Sequence, residues 1–416
     1  MYVSSLNVEN LRCFERAKIA FEHPDTNVKA KADRVENVTL LLGNNGSGKT
    51  TILKGVALAV LAPVIPAAGY KPHCLVRRHA GPPSPTVANV TAALVFMEQD
   101  YNYAADMRAD SLPAKATAKI LSRGDYEMMM TSAEYSSTAI DSEERTVSEQ
   151  LLEDDSPAYF TVAYGATRRV ASANGSEVFS EKSRGLRYQR VASLFEDHVP
   201  LRPLNLWVPG LESKRRSAAI NLLNTLTPED ISFDGRFDDL QPIFTHRGID
   251  LPFTTLSDGY RGYIGMVADL LHHLNHACPD GRELTEMTGV VLIDDIDLHL
   301  HPSWQLSVVP KLASTLPRLQ FIVTSHSPLV AATLYARNIR VIESPPDRPS
   351  RVNDVQERIH GLNAAQVLSS EYFGLPSSRS QDQEDKLARL ADDVAKRGSP
   401  EASIAFLREL SGKNPE

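Results

Sequence analysis

The stretch Leu40-Leu41-Leu42-Gly43-Asn44-Asn45-Gly46-Ser47-Gly48-Lys49-Thr50-Thr51 decides how the rest of the chain is read. From Gly43 to Thr50 it fits G-x-x-x-x-G-K-[ST]. An apolar strand, Val38–Leu42, leads in, and an apolar-periodic helix, Lys49–Leu61, leads out. That context gives the motif its meaning. Glycines at 43, 46 and 48 let backbone N–H groups close around phosphate oxygens without Cβ clashes. The helix N-terminus brings its positive dipole end to the same place. In such a loop Lys49 reaches the β- and γ-phosphates, and the Thr50 hydroxyl is a Mg²⁺ ligand.

At 416 residues the chain can bury a large core, with two or three domains expected. No apolar run reaches about 18 residues, so no transmembrane helix is expected. The start, Met1-Tyr2-Val3-Ser4-Ser5-Leu6, lacks the basic region and cleavage pattern of a secretion signal. Cys13, Cys74 and Cys278 are isolated, which suits a reducing cytoplasm and argues against disulfides or a cysteine zinc site. The net charge of −8 carries no footprint of a constitutive nucleic-acid binder, although a local basic face is compatible with it.

Residues 2–22 read as two strands broken at Asn10–Phe14. The helix after the phosphate loop places Ile52, Leu53, Val56, Ala57, Val60 and Leu61 on one face, and Pro63 stops it. Residues 62–87 are rich in Pro and Gly and read as loop; His73, Cys74 and His79 within it match no usual metal spacing. Val87–Met97 alternates as a strand. Residues 100–155 read as a surface insertion, partly helical, whose segment 125–155 holds ten acidic residues and one basic one. Such a stretch is either a solvated face or a docking surface for a basic partner. Pro157–Tyr164 returns to a strand, and residues 191–225 look helical. Arg184, Arg187, Arg190 and Lys214-Arg215-Arg216 are the candidate phosphate-backbone contacts, against the plainer reading of a solvated helix face. Trp207 reads as a packed aromatic.

The last third carries most of the remaining chemistry. Leu256-Ser257-Asp258-Gly259-Tyr260-Arg261 closes a loop on a helix start, with Ser257 as natural N-cap. Gly289-Val290-Val291-Leu292-Ile293-Asp294-Asp295 is a buried strand that delivers two carboxylates at its C-terminal edge, where α/β folds place ligands. His299 and His301 follow on a loop; two histidines at i, i+2 suit interface or hydrogen-bonding roles better than zinc. Leu319–Val323 is a further buried strand ending in Thr324-Ser325-His326-Ser327-Pro328. Asn338–Ile342 is the final strand, and residues 355–415 read as helices.

A phosphate loop, a Leu-Ser-x-Gly segment, a strand ending in Asp-Asp and a strand ending in His, in that order, resemble the ATP-binding-cassette (ABC) ATPases. Three further segments resemble the SMC/RecF/OLD-like branch: Leu6-x-Val8-x-Asn10-Leu11-Arg12-Cys13-Phe14, Asp297-Leu298-His299-Leu300-His301-Pro302-Ser303-Trp304-Gln305, and Thr324–Pro328. Leu256–Arg261 with Val267-Ala268-Asp269-Leu270 is similar to the standalone, PtuA-like ATPase of Septu-type anti-phage systems. The resemblance covers roughly residues 1–60, 157–210 and 250–375.

The resemblance implies an α/β fold of the P-loop NTPase, ABC ATPase type: a mixed sheet flanked by helices, with a helical and insertion subdomain and a helical C-terminal tail. The expected parts are an ATPase lobe (1–99), an acidic insertion (100–156), a helical lobe (157–250), the signature, Walker B and histidine-switch part (251–345) and a C-terminal helical region (346–416). The implied cofactors are ATP and Mg²⁺. Gly43, Asn44, Asn45, Gly46, Ser47, Gly48, Lys49, Thr50 and Thr51, together with Arg12, would bind the nucleotide. Thr50 and Asp294 would hold Mg²⁺. Asp295 would polarise the attacking water, in a position where the family usually has glutamate, and His326 would contact the γ-phosphate and the water. Ser257 and Gly259 would face the γ-phosphate of the other protomer in a head-to-tail homodimer or higher even-numbered oligomer. Gln99 is the candidate for the family's Q-loop glutamine.

Aspartate is one methylene shorter than glutamate, so slow hydrolysis and a long-lived ATP-bound dimer are expected. The implied function is an ATP-driven switch, without a membrane role, that governs a separate nuclease or toxin in prokaryotic defence. A RecF-like ATPase that clamps DNA directly is the alternative. A transporter motor and a chromosome tether are disfavoured, the latter because long heptad arms are absent.

Overall fold

The computed structural model describes residues 1–24, 34–78, 84–97, 100, 115–124, 126–130, 159–171, 185–375, 377 and 379–411. The chain divides into two compact units, Met1–Leu362 and Asn363–Glu416.

Among the described residues, the first unit holds three sheets. Strands β1 (Tyr2–Leu11), β2 (Phe14–Ala20), β4 (Val87–Val95), β5 (Lys115–Arg123) and β6 (Tyr126–Met129) form an antiparallel sheet in the order β2-β1-β4-β5-β6. Strands β3 (Val38–Gly43), β7 (Thr161–Tyr164), β11 (Gly289–Ile293), β12 (Leu319–Thr324), β13 (Ile339–Glu343) and β14 (Arg351–Asn353) form the second, in the order β14-β13-β3-β12-β11-β7. All its pairings are parallel except that of edge strand β14. Strands β8 (Ile231–Asp238), β9 (Gln241–His246) and β10 (Ile249–Pro252) make a small antiparallel meander.

The parallel strands are apolar almost throughout because both faces are covered: Val38–Leu42, Gly289–Ile293 and Leu319–Thr324 are buried at every position. Helix α1 (Lys49–Val60) leaves the end of β3 and is buried at ten of its twelve residues. The one-faced amphipathic helix expected from the apolar spacing is therefore enclosed on nearly all sides, since α1 packs on strands of both large sheets. Gly55 permits this: an added Cβ would lie 3.2 Å from Leu6 and 3.5 Å from Val90.

Two regions depart from expectation. Residues 115–129, read as part of a partly helical insertion, form β5 and β6 of the antiparallel sheet. Ala118, Ile120 and Met129 point inward while Lys115 and Arg123 stay exposed, a period-2 pattern hidden in polar company. Residues 131–155, with most of the acidic run, lie outside the described residues. The segment expected as a helical lobe does carry α2 (Ser213–Leu226), but β8–β10 follow it. Phe233, Phe244 and Phe253 pack together there, with ring centroids 5.0 and 5.7 Å apart. Edge strand β14 extends the sheet past the strand expected to be its last; it hydrogen-bonds to β13 beyond the polar turn after Pro345.

Helix α3 (Asp258–Ala277) carries the apolar face Ile264, Val267, Leu271 and Leu274, all buried. The second unit contains helices Ala364–Leu368, Gln381–Arg397 and Pro400–Ser411. The latter two lie side by side, joined by Lys386–Glu409 at 2.9 Å. No helix among the described residues is long and apolar enough to cross a membrane.

Candidate functional site at the carboxyl edge of the parallel sheet

The register of β3, β12 and β11 gathers the site. Thr324 pairs with Leu41, and Ile293 with Val323, so the phosphate loop, the Thr324–His326 turn and the Asp294-Asp295 pair leave the sheet side by side.

The phosphate loop is tightly packed at its glycines. Gly48 has φ +115°, and a Cβ there would lie 2.5 Å from Cys13 Sγ and 2.6 Å from Phe14. Its conformation and its neighbours both require glycine. The Asn10–Phe14 turn thus packs directly on the loop: Cys13 Sγ approaches the Ser47 carbonyl at 3.4 Å. Lys49 Nζ donates to the carbonyls of Gly43 (3.0 Å) and Asn44 (3.2 Å), lying back along the loop. Ser47 Oγ is buried and has no hydrogen-bond partner among the described residues.

Asp294 sits between two hydroxyls. Thr50 Oγ1 donates to its Oδ2 and Thr324 Oγ1 to its Oδ1, each at 2.7 Å. Burial holds its carboxyl pKa above the ordinary value, with Asp295 adding to the rise and the two threonine bonds opposing it. Burial likewise lowers the Lys49 pKa, against the pull of Asp295, Asp294 and Asp297. Asp295 is partly exposed and has φ +46°, the left-handed region that non-glycine residues seldom adopt. Its N–H donates to Thr324 Oγ1 at 2.7 Å. His326 Nε2 stands 4.0 Å from Asp295 Oδ1. Ser327 steadies the histidine turn: its hydroxyl caps the N–H groups of Leu329 and Val330 and donates to Gln305 at 2.7 Å.

The structure therefore brings together Lys49, Thr50, Asp294, Asp295 and His326. Arg12 is exposed on the turn against the loop, with φ +48°; burial lowers the pKa of Lys54, and the charge of Arg12 adds to that. Ser257 and Gly259 lie at the start of α3. Ser257 occupies the N-cap position but its side chain makes no capping bond, contrary to expectation. Gly259 lies against the His299 carbonyl so closely that no Cβ would fit. His301 Nδ1 accepts from Ser303 N–H at 3.3 Å and caps the turn Pro302–Gln305. Cys74 Sγ lies 3.3 Å from His73 Nε2, while His79 and Gln99 fall outside the described residues.

The basic candidates are largely structural. Arg187 and Arg190 are 1% and 2% exposed, so they are core residues and not a surface for phosphates. Arg190 stacks over Phe160 at 5.3 Å. Arg215 and Arg216 donate to backbone carbonyls of Pro279 and Gly235, leaving Lys214 as the exposed member of that trio. Arg184 lies outside the described residues. Trp207 is buried beside His272, with ring centroids 5.7 Å apart.

Two residues at the site escaped the sequence reading. Thr324 was visible only as part of a Thr-Ser-His-Ser-Pro run, and nothing in that run says its hydroxyl bridges both aspartates. Arg168 reaches the acidic pair from the loop after β7, donating to the carbonyls of Asp294 and, at 2.8 Å, Asp295. A signal existed in the Gly165–Arg169 turn beyond a buried strand, but its target depends on strand order.

A phosphate loop and an acidic pair on nearby parallel strands, overlooked by a histidine on the strand between them, define an ABC-type ATPase of the SMC/RecF/OLD-like branch. Known proteins agree with that class. The family described as "AAA domain, putative AbiEii toxin, Type IV TA system" matches residues 134–332, and a second AAA-domain family matches residues 5–68. The SMC head bound to the C-winged helix domain of ScpA shares the fold, with a TM-score of 0.50 at 13% identity, covering 86% of this chain and 98% of that one. Within the class, the chain is related to PtuA. The Septu protein PtuA of Bacillus mycoides is 25% identical over 219 residues, 53% of this chain and 30% of that protein. The Retron Ec83 probable ATPase of Escherichia coli is 39% identical over 105 residues, 25% of this chain and 19% of that protein. The Retron Vc95 probable ATPase of Vibrio cholerae is 23% identical, covering 80% of this chain and 74% of that protein. The chain thus spans under a third of the length of the first two relatives.

Proposed function

We propose that this protein binds ATP with Mg²⁺ and hydrolyses it slowly, as a homodimer or a higher even-numbered oligomer. Its nucleotide state would set the activity of a separate effector, a nuclease or toxin, in anti-phage defence. The observation that carries the reading is the array Thr50–Asp294–Thr324–Asp295–His326, assembled from three adjacent strands around one phosphate loop.

The residues present fit ATP and Mg²⁺. The unpartnered Ser47 hydroxyl and the glycines of the loop suit phosphate oxygens, which Lys49 would leave its loop carbonyls to bind. Thr50 and Asp294 would hold the ion, which when bound neutralises charge on the phosphates. Asp295 and His326 would orient the attacking water. Phosphoryl transfer to water depends mainly on such positioning and charge stabilisation. The short aspartate retracts its carboxylate by about 1.5 Å, and a shift of about 1 Å can cost on the order of 10²-fold in rate.

The exposed start of α3 supports the dimer reading. Among the described residues, the polar contacts of Ser257 and Asp258 stay within their own helix turn. Their α-helix N-terminus is thus available to a second protomer's nucleotide. The names of the relatives, two retron ATPases and Septu PtuA, support the defence setting. The burial of Arg187 and Arg190 counts against the RecF-like DNA clamp.

The test is the mass of the purified protein with ATP–Mg²⁺, with ADP and without nucleotide, alongside phosphate release. An assembly that persists with ATP while turnover stays slow is expected. A monomer with ATP that dimerises only on addition of DNA would favour the clamp instead.

A further inference from the structure

The guanidinium of Arg168 donates to two consecutive main-chain carbonyls, those of Asp294 and Asp295. Its own strand brings it there: β7 pairs in parallel with β11, with Tyr164 beside Ile293, and the Asp294 N–H donates to the Tyr164 carbonyl at 2.8 Å. Three residues past Gly165, the side chain folds back over the end of the neighbouring strand. Its Nε is enclosed and makes no hydrogen bond among the described residues. The segment is itself fixed from behind. A Cβ on Gly262 of α3 would lie 3.8 Å from the Arg168 carbonyl, and one on Gly265 would overlap Val170.

Asp295 needs holding. With φ +46° its backbone occupies a region that costs a non-glycine residue energy, and it persists only where the surroundings determine it. The determinants are the Thr324 hydroxyl on its N–H and, on its carbonyl, Arg168 at 2.8 Å and the Leu298 N–H at 3.0 Å. The left-handed turn aims the Asp295 side chain to the side of the site where His326 stands. We propose that Arg168 is a positioning residue for hydrolysis: by clamping both carbonyls of the acidic pair it sets the direction of the Asp295 carboxylate. The inference rests on the ATPase reading above. Enclosure lowers the guanidinium pKa to about 10, opposed by Asp294, Asp295 and Asp297, so the clamp stays charged at neutral pH. Both bonds come from one terminal nitrogen, Nη2, which the rigid guanidinium plane holds in a fixed direction, whereas a lysine ammonium would carry its donors on a flexible stem.

The experiment compares wild type, Arg168→Lys, Arg168→Gln, Asp295→Asn and the double variant Arg168→Lys/Asp295→Asn. It measures the stoichiometry and affinity of ATP binding and the rate of phosphate release, with Lys49→Ala as the binding-deficient control. Both Arg168 variants are expected to bind ATP at full stoichiometry within about 3-fold of wild-type affinity, and kcat is expected to fall on the order of 10- to 100-fold. In the Asp295→Asn background Arg168→Lys should cost nothing further, because groups acting as a unit are not additive. Multiplicative losses in the double variant, or loss of ATP binding in both Arg168 variants, overturn the positioning role while leaving the ATPase reading intact. Wild-type protein that binds ATP without releasing phosphate overturns both.

Discussion

Thr50 and Asp294, 244 positions apart in sequence, are joined by a 2.7 Å hydrogen bond from the threonine hydroxyl to the carboxylate. The bond ties the start of α1 to the end of β11, with β12 supplying Thr324 to the other carboxylate oxygen. Asp294 is nearly enclosed, and burial raises its pKa. A carboxyl with a raised folded-state pKa favours the fold below its unfolded-state pKa, and that contribution is lost as pH rises through the folded value. At neutral pH the charged Asp294 therefore weakens the fold.

Asp294→Asn should accordingly raise the melting temperature at pH 7 without nucleotide. Phosphate release should fall at least about 10²-fold, because the ion that Asp294 is proposed to hold neutralises charge on the phosphates. Thermal melts and phosphate assays check both. A lower melting temperature would mean that attraction to Lys49 outweighs the burial cost.

Asp295→Glu adds one methylene to the side chain proposed to orient the attacking water. An increase in kcat of about 10-fold or more is expected, given the sensitivity of such groups to shifts of about 1 Å. Unchanged or slower turnover would show that the left-handed backbone at Asp295 already compensates for the short side chain.

Gly48→Ala places a methyl group against Cys13 and Phe14 at a φ of +115°. The strain should cost about 1–3 kcal/mol, and the displaced loop should lose ATP binding. Calorimetric titration with ATP and a melting curve test this; wild-type affinity would show that the Asn10–Phe14 turn can yield.

His272 lies on α3 beside Trp207, with His273, Arg202, Asp269 and His276 around it. Burial, aided by the charges of His273 and Arg202 and opposed by Asp269, pushes its pKa down to about 3. A base depressed from 6.5 to about 3 supports the fold above pH 6.5, and that support is lost as pH falls through this window. The melting temperature should drop between about pH 7 and about pH 5, and His272→Phe should flatten that slope. Equal slopes in the two proteins would contradict the assignment.

The phosphate loop was legible because a local motif encodes its own geometry: glycines for the turn, an apolar strand before it and a helix after it. The buried strands Gly289–Ile293 and Leu319–Thr324 were equally readable, since a strand covered on both faces must be largely apolar. The acids and the histidine at their ends could be placed by the rule that ligands sit at the carboxyl edge.

Where the signal was weak, the reading missed. The hairpin Lys115–Met129 carries small apolar residues between polar ones, and the meander Ile231–Pro252 is short and mixed. Arg187 and Arg190 looked like surface charge because the sequence does not show that Tyr159 and Phe160 lie against them.

By itself, then, the amino-acid sequence determined the class of protein and singled out Lys49, Thr50, Asp294, Asp295 and His326 as candidates. Only the tertiary structure decided how those groups hold one another. Thr324 bridges the two aspartates, Arg168 clamps their carbonyls, and Cys13 closes on Gly48, because parallel strand order and register bring together residues far apart in the chain. Local sequence sets what each strand end carries, whereas hydrogen bonds between strand ends depend on which strands become neighbours.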